Sequence, residues 1–227
     1  MKEGTYQKFA SVAAFIVALS SLSYGLIFLF LVPSAQKQLA RTGDSLTSFA
    51  ANPTGRQIAS LLLALGGLAA TAAIVGVYRR VREVHETWAL WSLLIGFTYG
   101  ILTTIYGISI TLLFPILSDL YVHGSAATQA SVLAIGSLPS PLDPFGFTKF
   151  VLSGLWLLIT GMLMLRSLYF PRLLGYLTIV AGIGVLLLFI GNVTGTSALI
   201  LATGVPGSAI IGPLFWLWVG YTLWTKA

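Results

Sequence analysis

This chain has 227 residues, of which 57% are hydrophobic and 8% are charged. A soluble domain is about half apolar and a quarter charged, so this composition excludes a soluble protein. The 12 Lys and Arg residues against 6 Asp and Glu give a net charge of +6. In so apolar a chain, that excess is typical of residues held at a membrane surface, and nucleic acid is not an expected partner. The sequence has no cysteine, which excludes disulfides and cysteine-ligated metal sites.

Six apolar runs are long enough to cross a bilayer core of ~30 Å, which takes about 20 helical residues. They cover residues 9–32, 57–78, 88–117, 145–165, 172–191 and 208–224. The first run is too long for the ~7 to 15-residue core of a secretory signal, so we expect it to be retained. No linker remains between the runs. We therefore predict an all-α, polytopic transmembrane helical bundle, with residues 1–227 forming one domain.

Two connections carry weaker helical patterns. After Pro33, residues 35–49 are compatible with a short surface helix, which Asn52-Pro53 would end. Pro115 marks either a kink or the exit of the third run, because proline removes a backbone donor. We expect residues 119–143 to form an exterior connection with a helix at about 126–135.

The basic residues orient the predicted spans. With the N-terminus inside, eight of the twelve fall on the inner side: Lys2, Lys8, Arg79, Arg80, Arg82, Arg166, Arg172 and Lys226. The remaining four fall outside: Lys37, Arg41, Arg56 and Lys149. Because Lys and Arg concentrate in cytoplasmic loops, this asymmetry predicts six spans in the cell membrane with both termini cytoplasmic.

Glycines in several runs indicate close helix packing. In lipid, apolar attraction between helices is weak, and small residues let two backbones approach and recover dispersion energy. Gly96 and Gly100 are four residues apart and therefore share one helix face. The glycines that we predict to pack against other helices are Gly66, Gly67, Gly96, Gly100 and Gly182.

Three stretches carry a resemblance to a known family. They are PRLLGYLTIVAGIGVLLL, the preceding DPFGFTKFVLSGLWLLITGMLML and the aromatic PLFWLWVGYTLW. These stretches resemble six-helix prokaryotic integral membrane proteins that are grouped in a family of unknown function. The likeness covers most of the chain. It implies the same six-helix topology, and it brings no catalytic residue to this sequence.

The search for catalytic chemistry finds no recognised site. His85 and His123 fall on opposite sides of the predicted membrane, so they cannot ligate one haem together, and His123 four residues after Asp119 is typical of a surface pair. No ionisable residue lies near the centre of a run, which disfavours a proton-coupled transporter. The phosphate-binding, HExxH and GxSxG motifs do not occur in the sequence. We predict that the protein is not an enzyme.

Two functions remain. The preferred one is a non-catalytic structural or accessory subunit of a larger membrane assembly, with membrane lipid and other membrane subunits as partners. The sequence does not identify a cofactor, and lipid, quinone and pigment all remain open. The alternative is a transporter or binding protein for a small neutral or amphipathic molecule. Its candidate polar lining is Tyr24, Tyr99, Thr103, Tyr106, Thr160 and Asn192.

Overall fold

A computed structural model describes residues 3–37, 42–136 and 147–226. These residues form nine α-helices and no β-strand, which confirms the all-α helical bundle. The helices are α1 (Glu3–Phe30), α2 (Gly43–Ala51), α3 (Thr54–Val81), α4 (Glu86–His123), α5 (Ala126–Gly136), α6 (Leu152–Arg166), α7 (Arg172–Thr194), α8 (Ser197–Pro206) and α9 (Gly212–Thr225). A 3₁₀ turn occupies Ser34–Lys37.

Five helical segments of the described chain are long and apolar enough to cross a membrane, as expected of a membrane protein. They are Gly4–Phe30, Thr54–Val81, Glu86–His123, Phe147–Arg166 and Arg172–Thr194. The fourth consists of a π-helical turn, Phe147–Val151, followed by α6. Of the span predicted at 145–165, residues 145 and 146 lie outside the described residues.

The sixth predicted span, 208–224, is not among these five segments. It falls on a π-helical turn, Gly207–Ile211, followed by the 14 residues of α9. The helical region is longer than predicted, because α8, the π-helical turn and α9 follow one another without a gap from Ser197 to Thr225. Pro213 lies in the first turn of α9 and has no N–H to donate, and a local π turn is one way in which a helix accommodates such a loss.

The helix that contains the third predicted span, 88–117, extends beyond it, because α4 continues through Pro115 to His123. Asp119 is therefore helical rather than part of a connection. Tertiary contacts with α2 support the extension: the ring of Phe114 lies 4.9 Å from that of Phe49, and the Ser118 hydroxyl donates to a carbonyl of α2. The helix expected at 126–135 is α5, while the one expected at 35–49 is divided between the 3₁₀ turn and α2.

The long helices pack in a defined order. α3 lies between α1 and α4, α6 packs against α4 and α7, and α9 packs against α1. The start of α1 and the end of α3 meet where the Arg79 guanidinium lies 3.9 Å from the ring centre of Tyr6. Arg80 lies 4.7 Å from the ring of Tyr169, in the connection between α6 and α7. We call this end of the bundle, which also holds the end of α9, the basic end, and the opposite end the α2 end.

Glycine lies at the closest helix contacts. A Cβ added to Gly67 of α3 would be 2.7 Å from the Thr104 nitrogen of α4, and one added to Gly182 of α7 would be 2.9 Å from the Gly154 oxygen of α6. Elsewhere a large side chain covers a glycine: Trp156 lies over Gly96, where a Cβ would be 2.5 Å from Trp156 Cδ1. Two backbones, or a backbone and an aromatic ring, therefore meet without space for another carbon atom.

The other glycines singled out in the sequence have different surroundings. A Cβ at Gly100 would be 2.9 Å from Thr71 Cγ2 and 3.1 Å from the Gly67 oxygen, so Gly67 and Gly100 belong to one contact between α3 and α4. Gly66 faces α1, and its nearest neighbour would be Ser20 Cβ at 3.3 Å. Gly66 and Gly67 are adjacent in α3, but Gly66 faces α1 and Gly67 faces α4. The contact at Gly66 leaves more space for an added side chain than the contact at Gly67 does.

Candidate functional site

The six candidate lining residues are spread over four helices. Thr160 of α6 is fully buried, and its hydroxyl forms a 2.7 Å hydrogen bond with Ser92 of α4. Asn192 of α7 donates from Nδ2 to the Leu188 oxygen of its own helix at 2.9 Å. Tyr106 is exposed, with Lys149 Nζ 5.5 Å from its ring centre. These polar groups are engaged within or between helices.

The three remaining candidates lie on α4 and α1. Thr103 of α4 is buried, Tyr99 one turn before it is half-buried, and Tyr24 of α1 is half-buried with its ring stacked on Phe28 at 5.5 Å. The bundle therefore brings Tyr99 and Thr103 together on one helix and leaves Tyr24 and Asn192 on others. None of the six candidates lines the groove that the structure shows between α7 and α9.

That groove lies between α7 and α9 and has a volume of about 730 Å³. Its lining residues are Leu173, Tyr176, Leu177 and Val180 of α7, with Leu214, Leu217, Trp218 and Tyr221 of α9. We call it the α7–α9 groove. It extends inward from the basic end over about two helical turns, or about 10 Å. Tyr176 and Tyr221 are 58% and 62% exposed, so the groove opens to the surroundings of the bundle.

The helices α7 and α9 make few close contacts with each other, whereas α1 with α3, α3 with α4 and α6 with α7 are closely packed. Closely packed pairs in this bundle set glycine against a large side chain or against a backbone. The lining of the α7–α9 groove contains eight large residues and no glycine or alanine. Two helix faces of this kind cannot approach each other closely. The large side chains of α7 and α9 therefore make few dispersion contacts with each other.

The sequence interpretation missed this groove, although a signal was present. Its lining residues repeat at i, i+3, i+4 and i+7 on both helices, beginning at Leu173 on α7 and at Leu214 on α9. That spacing places four side chains on one helix face. The pattern also describes an ordinary lipid-facing stripe, so it does not indicate by itself which two stripes face each other.

The basic end is held together around Tyr169. Its hydroxyl accepts a hydrogen bond from Gln7 Nε2, and its backbone oxygen accepts one from Lys226 Nζ at 2.5 Å. Partial burial raises the pKa of the Tyr169 phenol above its usual value, and the nearby positive charge of Arg80 opposes part of that rise. The phenol therefore remains neutral at physiological pH and can serve as a hydrogen-bonding group that joins α1 and α9 to the α6–α7 connection.

The ionisable groups of the long helices lie near helix ends. Asp119 and His123 pair at the exposed end of α4, with 3.0 Å between Oδ1 and Nδ1. His85 caps the start of the same helix and accepts from the Trp88 N–H at 3.5 Å, so the two histidines lie at opposite ends of α4. Among the residues that the structure describes, no three His, Asp or Glu side chains gather into a metal-binding group.

The helical bundle and its apolar groove define a polytopic helical membrane protein. Residues 19–220 match the family described as a domain of unknown function, DUF4386, and the chain belongs to this family. This match confirms the resemblance to a membrane family of unknown function. No curated protein and no solved structure matches the chain.

Proposed function

We propose that this protein is a non-catalytic accessory subunit of a larger assembly in the cell membrane, and that it docks a transmembrane helix of a partner membrane protein in the α7–α9 groove. The observation that carries the proposal is the groove itself, where two neighbouring helices present large side chains that remain unpacked. A subunit needs a surface on which a partner gains contacts that lipid does not supply, and incompletely packed side chains provide such a surface.

The packing inside the bundle favours a helix as the occupant. A Cβ at Gly154 would lie 2.7 Å from Leu186 Cγ, and one at Gly220 would lie 3.0 Å from Phe15 Cδ1. Helices in this bundle thus associate by placing large side chains over glycine. The groove supplies the large side chains, and a partner helix with a stripe of Gly, Ala or Ser would supply the complementary face.

Lipid is the main competitor for the same surface. An acyl chain adapts to an irregular apolar groove, but it is as apolar as the leucines around it and gains little from binding there. A rigid helix also brings small residues at fixed spacing and loses less conformational entropy on binding than a flexible chain. A small amphipathic ligand, as in the transporter alternative, would likewise occupy the groove without a partner protein.

Site-specific cross-linking tests which occupant is present. The chain has no cysteine, so Leu217→Cys gives one attachment point for a benzophenone maleimide inside the groove, and Leu68→Cys gives a matched point on α3 that is 62% exposed. After illumination in native membranes, we expect a protein adduct from position 217 and only lipid adducts from position 68. Lipid adducts alone at both positions would contradict the partner-helix proposal.

We also propose six spans with both termini in the cytoplasm, taking 197–225 as the sixth. The basic asymmetry of the sequence supports this orientation, and Lys8 lies 5.9 Å from the ring of Trp224, so the beginning of α1 and the end of α9 share the basic end. A C-terminal green fluorescent protein fusion should fluoresce, and a C-terminal alkaline phosphatase fusion should be inactive. Active phosphatase at the C-terminus would overturn the orientation or the number of spans.

A further inference from the structure

Arg56 occupies an unusual position at the α2 end of the bundle. It lies in the first turn of α3 and is 9% exposed. Its guanidinium carbon is 5.4 Å from the ring centre of Phe28 and 5.9 Å from that of Phe114. Its buried Nε has no hydrogen-bond partner among the described residues, and no described carboxylate forms an ion pair with it. The arginine is therefore enclosed by two aromatic rings, with a buried donor left free.

The surroundings of Arg56 offset its charge only in part. The first turn of a helix is the positive end of its dipole, so Arg56 opposes the dipole of the 28-residue α3. Burying a charged group without a counter-charge is also unfavourable. The two aromatic faces attract the guanidinium of Arg56. The N–H groups of the guanidinium lose water as a hydrogen-bond acceptor when they are buried, and a ring face does not replace it.

The neighbouring groups favour an anion. Pro53 precedes α3 and supplies no side-chain cap, so no side chain occupies the amide groups at the start of this helix as a cap would. The Gln36 side chain donates to the Asn52 oxygen at 3.1 Å and so fixes the turn immediately before α3.

We propose that Arg56 binds an oxyanion, a phosphate or carboxylate group, at the α2 end of the bundle, where the start of α3 complements the negative charge. A guanidinium presents several N–H donors in a fixed plane and matches the oxygen atoms of such a group. The oxyanion comes either from a soluble ion or from a phospholipid headgroup, and the chemistry is the same. This site is independent of the α7–α9 groove, which extends from the opposite end.

Binding is measured on the full-length protein, purified in a neutral detergent. One arm titrates inorganic phosphate at constant ionic strength and follows the midpoint of thermal unfolding, which rises when a ligand binds the folded state. The second arm adds phosphatidylglycerol to the protein in a phosphate-free neutral detergent, so that the reference state contains no phospholipid headgroup. The variants are Arg56→Gln, Arg56→Lys and the control Arg82→Gln, whose arginine is exposed at the basic end.

We expect a saturable rise in the midpoint of the wild type and of Arg82→Gln. Arg56→Gln should bind about tenfold more weakly or worse, as for the loss of a hydrogen bond to a charged group. Arg56→Lys should retain part of the affinity, because it keeps the charge without the planar donors, and it also keeps the test valid if Arg56→Gln does not fold.

The two arms distinguish the source of the oxyanion. A response to inorganic phosphate indicates a soluble anion, and a response to phosphatidylglycerol alone indicates a lipid headgroup. Either response supports the site if it depends on Arg56. No saturable response in either arm, or equal responses from the wild type and both Arg56 variants, would overturn it.

Discussion

Replacing Gly67 with leucine is expected to separate α3 from α4 and to remove a large share of the stability of the bundle. A Cβ at this position would lie 2.7 Å from the Thr104 nitrogen and 2.8 Å from the Gly100 oxygen, and both are backbone atoms that cannot rotate away. Overpacking a core costs about 1–3 kcal/mol where side chains can adjust. Here the helices themselves must move, so we expect about 3 kcal/mol or more, a large share of the roughly 5–15 kcal/mol that stabilises a typical folded protein.

The adjacent Gly66 provides the matched control. Gly66→Leu makes the same change in the same helix, but its Cβ would meet only Ser20 Cβ, at 3.3 Å. Thermal unfolding of both variants in mild detergent should show a much larger drop in the midpoint for Gly67→Leu. Equal midpoints would mean that the close contact between α3 and α4 does not limit stability.

Trp156→Ala is expected to have the second largest effect. Trp156 is 2% exposed, its ring stacks on Trp216 at 5.4 Å, and it meets Phe215 edge-on at 5.9 Å. The same ring covers Gly96, so one side chain joins α4, α6 and α9. Removing a buried tryptophan leaves a cavity and costs about 3–5 kcal/mol, to which the lost aromatic pairs contribute.

The control for this change is Trp91→Ala, on the surface of α4. Trp91 is 56% exposed, and we expect its loss to cost less than about 1 kcal/mol. The stability of the two variants is compared by unfolding them in detergent, with tryptophan fluorescence or circular dichroism as the signal. A similar loss of stability in both would contradict the central packing role of Trp156.

The sequence predicted most of the long helices because their apolar runs are long enough to cross a bilayer. The run at 57–78 became α3 (Thr54–Val81), and the run at 172–191 became α7 (Arg172–Thr194). Local hydropathy contains this information, since a lipid-facing helix needs about 20 apolar residues whatever its neighbours are. Tertiary contacts are not local, and the packing of Phe114 on Phe49 is an example. The extension of α4 from the predicted end at residue 117 to His123 was therefore not predicted.

The candidate sites were harder to predict for the same reason. The groove residues on α7 and α9 follow a readable helical spacing, but the sequence does not state that these two faces meet. Arg56 was counted as one of twelve basic residues at helix ends, and its burial arises from Phe28 of α1 and Phe114 of α4. A cation in the first turn of a helix does not by itself distinguish Arg56, because Arg172 also lies in the first turn of its helix.

Native mass spectrometry of the protein, released gently from its own membranes, tests the central claim most directly. The wild type should carry a second membrane protein, and Val180→Trp, which fills the α7–α9 groove, should lose it. Leu68→Trp, on the exposed face of α3, should keep it. A wild-type monomer in several mild detergents and in native lipid particles, together with saturable flux of a small solute into proteoliposomes, would contradict the subunit proposal and favour a transporter.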